Sequence, residues 1–252
     1  MHISYPLSAT GSEPLLPIGL SSEAHSLEKL FAVQPTAKYA AGEGIFWEGD
    51  AASDIFQLTE GCLRLYRILP DGRRAILGFK FAGEMLGLSC ESTYCCTAEA
   101  VTPVRLRRLS RARLQAMSET ATQLQPLLFR KLFEEIRAAQ QHIIVLGQLG
   151  AEERIAHFLM SSARRTGADQ RRPIIIEMPM TRQDIADHLG LTIETVCRVM
   201  SKLKRDGLVA LEGRHKVILL RIVDLQQLAG EFDDAEPWGA KGSIWNTTKW
   251  PH

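Results

Sequence analysis

The 252-residue chain has no apolar run near the roughly 18–20 residues that a membrane-spanning helix needs. Its opening, MHISYPLSATGSEPLLPIGL, lacks the basic segment followed by an apolar core that marks a secretory signal. A cytoplasmic protein without a membrane partner is expected. The five cysteines (Cys62, Cys90, Cys95, Cys96, Cys197) are an odd set without framework spacing, so free thiols are expected rather than disulfides. No histidine lies between residues 26 and 141. A histidine-rich metal barrel of the cupin type is thereby excluded for that region. There is no phosphate loop and no dinucleotide fingerprint, and an enzyme is not expected. No cofactor and no metal are expected either. Bulk charge is nearly absent, at a net +1, so it does not announce nucleic acid. The local balance says more: residues 151–230 hold 13 Lys/Arg against 10 Asp/Glu, whereas residues 1–150 hold 15 of each.

What is present divides the chain into stretches of different period. Residues 1–26, rich in Ser, Pro and Gly, read as a flexible arm. From 38 to 109, glycines at 42, 49, 61, 72 and 83 punctuate alternating apolar residues at hairpin spacing. Pro70-Asp71-Gly72 is a turn whose proline presets φ and whose glycine accepts positive φ. Short strands joined by tight turns predict a closed roll or barrel, placed at 27–125. Then the period becomes helical. Pro126 is tolerable only near a helix start, so a long helix is expected from there, with a hinge at Gly147 and Gly150, over 126–150. Leu132, Ile136, Ala139, Ile143 and Leu146 follow 4-3-4-3 spacing without a charge. That is the narrow seam of a helix paired with a second copy, although a helix packed on its own barrel would also use it. Residues 151–230 hold another amphipathic helix, a short strand at Ile174-Ile175-Ile176 and a hairpin turning at Glu212-Gly213-Arg214. Residues 231–252 fit no period and hold three of four tryptophans; a disordered tail or a partner-binding segment both fit.

The informative stretch is TRQDIADHLGLTIETVCRVMSKLKRDGLV, from Thr181. Thr181 with Asp184 three residues on reads as a capping box. Ile185, Ala186 and Leu189 give an apolar face, and Gly190 ends the helix in a tight turn. Thr192 caps a second helix, whose buried stripe is Val196, Val199, Met200 and Leu203. The opposite face carries Glu194, Cys197, Arg198, Ser201 and Arg205. An arginine fork matches guanine O6 and N7, and a glutamate accepts from cytosine N4. Lys202, Lys204 and Arg205 suit phosphates. Residues 181–205 therefore read as a helix-turn-helix that reads DNA by sequence, with Thr181, Arg182, Thr192, Ser201, Lys202, Lys204 and Arg205 at the backbone. A dimeric adaptor without DNA is the rival that a binding experiment separates. Cys197 sits near a helix N-terminus beside Arg198; both favour thiolate, making it a candidate redox switch. A small side chain touching a base edge is the plainer reading.

These residues resemble the CRP/FNR superfamily on its FNR–FixK branch, most specifically in AEERIAHFL from Ala151, MTRQDIADHLGLTIETVCR from Met180 and FAGEMLGL from Phe81. The resemblance implies an α+β chain: an N-terminal cyclic-nucleotide-binding-like jelly roll, a long dimerisation helix and a C-terminal winged helix-turn-helix. It assigns base reading to Ile193, Glu194, Cys197 and Arg198, on a TTGA half-site and its TCAA mate. It also implies a homodimer that activates by contacting RNA polymerase in an oxygen or redox response. The cyclic-nucleotide cassette is lacking: its glutamate falls on Leu88 and its Arg-Ser pair on Tyr94-Cys95, which bind a phosphate poorly. No cysteine precedes Cys62, so the family's iron–sulfur cluster is not expected. An unidentified small-molecule effector in the roll stays open as the alternative. The hairpin tip Asp71-Gly72-Arg73-Arg74 is basic where relatives of this branch present acid to polymerase.

Overall fold

The structure, a computed structural model, describes residues 27, 29–88, 92–120, 124–166 and 173–230. The expected arm at 1–26 and tail at 231–252 lie outside the described residues. Eight strands build the roll: β1 (Thr36–Tyr39), β2 (Gly44–Phe46), β3 (Asp54–Glu60), β4 (Cys62–Ile68), β5 (Arg74–Phe81), β6 (Met85–Leu86), β7 (Thr97–Ala100) and β8 (Val104–Ser110). They pair antiparallel in two four-stranded sheets, ordered β1-β8-β3-β6 and β2-β7-β4-β5. Alternation sends Phe56, Leu58, Leu63, Ala98 and Leu106 into the space between them. The β3–β4 turn needs glycine for two reasons. Gly61 has φ 90°, and a Cβ there would lie 2.4 Å from the Pro103 carbonyl oxygen.

Helix α1 (Arg111–Thr120) leads to α2 (Leu124–Gln148). Leu114, Leu124 and Leu127 close one end of the roll with Phe31, Ile55 and Leu109. The long helix begins at Leu124, two residues ahead of the expected start at Pro126. Proline fits there because a first-turn N–H has no intrahelical acceptor to lose. Beyond Gly150 come α3 (Ala151–Arg165), β9 (Ile174–Glu177), α4 (Arg182–Leu189), α5 (Ile193–Arg205), β10 (Val209–Glu212), β11 (Lys216–Leu219) and α6 (Ile222–Leu228). The last three strands form a sheet in the order β10-β11-β9. Helix α6 was not expected; seven residues are too short to show a period, and Ile222 and Leu225 bury it.

The two halves share a core. Cys62, Tyr66, Ile76 and Phe79, on the outer face of β4–β5, belong to one apolar cluster with Ile155, Phe158, Leu189 and Val196. Strand alternation makes that outer face look solvent-facing; the C-terminal unit covers it. Among the described residues, no helix is long and apolar enough to cross a membrane. No group of His, Cys, Asp and Glu among them is arranged to hold a metal.

Candidate nucleic-acid interface

Local hydrogen bonds set the geometry of α4 and α5. The Thr181 hydroxyl accepts from the Asp184 N–H at 3.0 Å, and the Asp184 carboxylate accepts from the Thr181 N–H at 2.9 Å. This reciprocal cap satisfies two donors that a helix start leaves open. Gly190, at φ 62° and ψ 38°, ends α4 in the left-handed region. Thr192 then accepts from the Thr195 N–H at 3.2 Å and starts α5.

Helix α5 buries Val196, Val199, Met200 and Leu203. Turned outward and exposed are Ile193, Glu194, Cys197, Arg198, Ser201, Lys204 and Arg205. Arg198 and Lys204 have no carboxylate partner among the described residues. Glu194 is held below the usual carboxylate range, first by its own backbone N–H and then by the Thr192 hydroxyl. It is thus anionic and ready to accept. Thr181 and Thr192 are exposed beside this face. Arg182 is half-buried; burial pulls its pKa down, and the nearby Cys197 opposes that. Cys197 therefore has Arg182 as well as Arg198 for a cationic neighbour. Lys202 differs from the other expected phosphate partners: its ammonium lies 2.6 and 2.7 Å from the two Glu152 carboxylate oxygens. Any phosphate has to compete with that pair.

The wing is the β10–β11 hairpin, whose turn at Glu212, Gly213 and Arg214 is exposed. His215, beside that turn, is exposed at the surface, and its Nδ1 lies 3.1 Å from the Met178 carbonyl oxygen. His188 is the opposite case. It is largely buried, its Nδ1 is 3.1 Å from the Ile76 carbonyl oxygen, and its ring stacks on His142 at 4.2 Å and 6°. Burial, and then the charge of His142, push its pKa down to about 4. Burial lowers His142 as well. An unfolded histidine takes a proton near pH 6.5, whereas the folded His188 resists until about 4. The unfolded state thus binds more protons between these values, and stability falls as pH drops through that window. The expected loss from His188 is at most about 3 kcal/mol. Urea titrations at pH 7 and pH 4 check this: wild type should lose more stability than His188→Gln, and parallel losses would refute it.

Sequence alone did not show the partners of Asp184. This carboxylate is 1% exposed and meets Arg64 of β4 and Arg74 of β5. Nor did it show that the hairpin tip is partly neutralised: Arg73 pairs with Asp71 at 2.7 Å, and Arg74 turns toward α4.

A β-roll, a long helix and a capped, winged helix-turn-helix define a class of two-part regulators. Comparison with known proteins agrees. Residues 36–121 match the cyclic nucleotide-binding domain family, and residues 153–230 match the Crp-like helix-turn-helix domain family. The chain belongs to the CRP/FNR family of transcription regulators. It is 38% identical over 192 residues to the nitrogen fixation regulation protein FixK of Rhizobium meliloti, covering 76% of this chain and 86% of that one. It is 31% identical to the transcriptional activator protein FnrL of Cereibacter sphaeroides, covering 84% and 87%. The solved structure of FixK2 from Bradyrhizobium japonicum superposes with a TM-score of 0.74 at 32% identity, over 78% of this chain and 97% of that one. These relatives are transcription regulators, not enzymes.

Proposed function

We propose that the protein is a homodimeric transcription activator that reads a TTGA…TCAA palindrome with one α5 helix per half-site. The outward face of α5 carries this reading: Glu194, Cys197, Arg198 and Ser201 are exposed together on a helix whose opposite stripe is buried. Arg198 suits the guanine and Glu194 a cytosine of the half-site, with Ile193 and Cys197 against the neighbouring base edges. Thr181, Arg182, Thr192, Ser201, Lys204 and Arg205, and Lys202 once it leaves Glu152, hold the backbone.

The dimer is supported by α2. Ile136 is 51% and Ile143 69% exposed on the seam, and Phe129 and Phe133 extend the same bare face at 59% and 65%. Ala139 is exposed, and Leu132 and Leu146 are half-buried. An apolar face of this length on a water-facing helix fits a second copy of itself. Two α5 helices would then enter successive major grooves about 34 Å apart. Contact with RNA polymerase and a cytoplasmic location follow from the same reading.

The roll supports action without a small-molecule effector. Tyr94, in the place of the phosphate-binding pair, stacks on Phe46 at 3.9 Å, and Phe46 on Phe56 at 5.8 Å. The Tyr94 hydroxyl donates to the Asp54 carbonyl at 2.9 Å. An aromatic stack thus stands where the charged pair would bind a phosphate. Control falls instead to Cys197, an exposed thiol on the reading face. Peroxide converts a thiolate to sulfenic acid with loss of hydroxide, and a second peroxide gives a sulfinate. That negative charge would lie unpaired against DNA acceptors.

Selection from random-sequence DNA tests the whole reading. With reductant, wild type should enrich the palindrome. With peroxide, wild type should enrich nothing while Cys197→Ser still enriches it. No enrichment under reductant refutes the reading; equal loss in both proteins places the sensitive thiol elsewhere.

A further inference from the structure

We infer that Arg64 and Arg74 are positioning residues for DNA reading: through Asp184 they tie the start of α4 to the β4–β5 face of the roll and so set the separation of the two α5 helices. The inference rests on the dimeric reading above.

One carboxylate does two jobs. Asp184 Oδ2 accepts from the Thr181 N–H at 2.9 Å and its hydroxyl at 2.8 Å, which completes the local cap. Oδ1 accepts from Arg64 Nη1 at 3.0 Å and from Arg74 Nη2 at 2.8 Å. The cap is built within four residues and needs no arginine. The guanidiniums come from 110 and 120 positions away in the chain and add only the tie to the roll. Both are themselves held. Arg64 also pairs with Glu99 of β7, and Arg74 lies over the Tyr66 ring at 5.6 Å and reaches Asp187 at 3.4 Å. Two cations thus face three carboxylates in a site mostly shielded from water.

A buried ion pair adds little net stability, because desolvation offsets attraction, but its geometry is narrow. Such a pair is suited to fixing an orientation. The surrounding contacts act on the same helix. His188 of α4 bonds the Ile76 carbonyl of β5, and His142 of α2 stacks on its ring. Through His188, helix α4 therefore touches both the roll and the dimer helix. Helix α5 follows it after the single turn at Gly190, so the angle of α4 is passed to α5. One base pair displaces a half-site by about 3.4 Å along the duplex and also rotates it. A rigid tie should therefore read half-site spacing, which α5 by itself cannot.

The test uses the full chain and competition anisotropy on palindromes of the preferred spacing and of one base pair more or less. Wild type should prefer the natural spacing by at least tenfold. Arg64→Gln combined with Arg74→Gln should flatten that preference to about twofold. Its discrimination against a mismatched half-site base and its dimeric mass should stay as in wild type. Lysine at both positions should restore part of the spacing preference. If the double variant fails to fold, Arg74→Gln alone carries the test, with an intermediate loss, because Arg64 still meets Asp184. A folded variant that keeps the full spacing preference overturns the inference and leaves the dimeric reading intact. Wild type that binds as a monomer, or without any spacing preference, overturns both.

Discussion

Aspartate at position 139 will convert the protein to a monomer at micromolar concentration and cut its affinity for the palindrome by at least a hundredfold. Ala139 lies in the middle of the seam formed by Leu132, Ile136, Ile143 and Leu146, and it is exposed in the single chain. In the monomer, an aspartate there faces water. In the dimer, two carboxylates meet across an apolar seam with no cation in it. An uncompensated buried charge of this kind costs on the order of 3–5 kcal/mol. Loss of the dimer also removes the gain from binding two half-sites at once, which is commonly a hundredfold or more. Light scattering gives the mass and anisotropy the affinity. Ile143→Asp should behave alike, because that residue is also exposed and its replacement does not open the chain's own core. A dimeric Ala139→Asp protein, or a monomeric wild type kept under reductant, would place the interface elsewhere.

Arg198→Ala should remove discrimination at one guanine per half-site, about 1–3 kcal/mol for each. On a palindrome the two losses combine, so specific binding falls by one to four orders of magnitude while binding to unrelated DNA changes little. Lys204→Ala is the contrast. It should weaken all sequences alike and lower the slope of affinity against salt by about one for each lost phosphate contact. Lys202→Ala should do less than Lys204→Ala, because Lys202 must give up Glu152 before it meets a phosphate. Equal effects of Arg198→Ala on all sequences would mean that α5 is not seated in the major groove with this face inward.

The helix-turn-helix was open to reading because its determinants are local. Thr181 and Asp184 are three residues apart, Thr192 and Thr195 likewise, and Gly190 stands between the helices. The roll was open for a similar reason, since glycine turns and alternation fix which face of each strand points inward. What escaped was long-range. Arg64 alternates with apolar neighbours and so looks like a solvent-facing residue of β4. Its partner lies 120 residues on. His188 looked like a surface residue of a short helix until β5 and α2 closed over it. Asp184 was assigned its cap and nothing more, because one oxygen of a carboxylate gives no sign of what the other will meet. The bare face of α2 also runs further than the seam suggests: Phe129, three residues before Leu132, continues its spacing, and Phe133 widens it.

The central claim is that Arg198 of each chain meets the guanine of one TTGA half-site in the major groove. Methylation interference tests it at that atom. DNA methylated lightly at guanine N7 is sorted into bound and free fractions, and the modified positions are mapped. The account predicts that one methylated guanine in either half-site, on opposite strands, excludes DNA from the wild-type complex, and that Arg198→Ala loses this exclusion. Uniform methylation in the bound and free fractions, or exclusion that persists unchanged in Arg198→Ala, would contradict it.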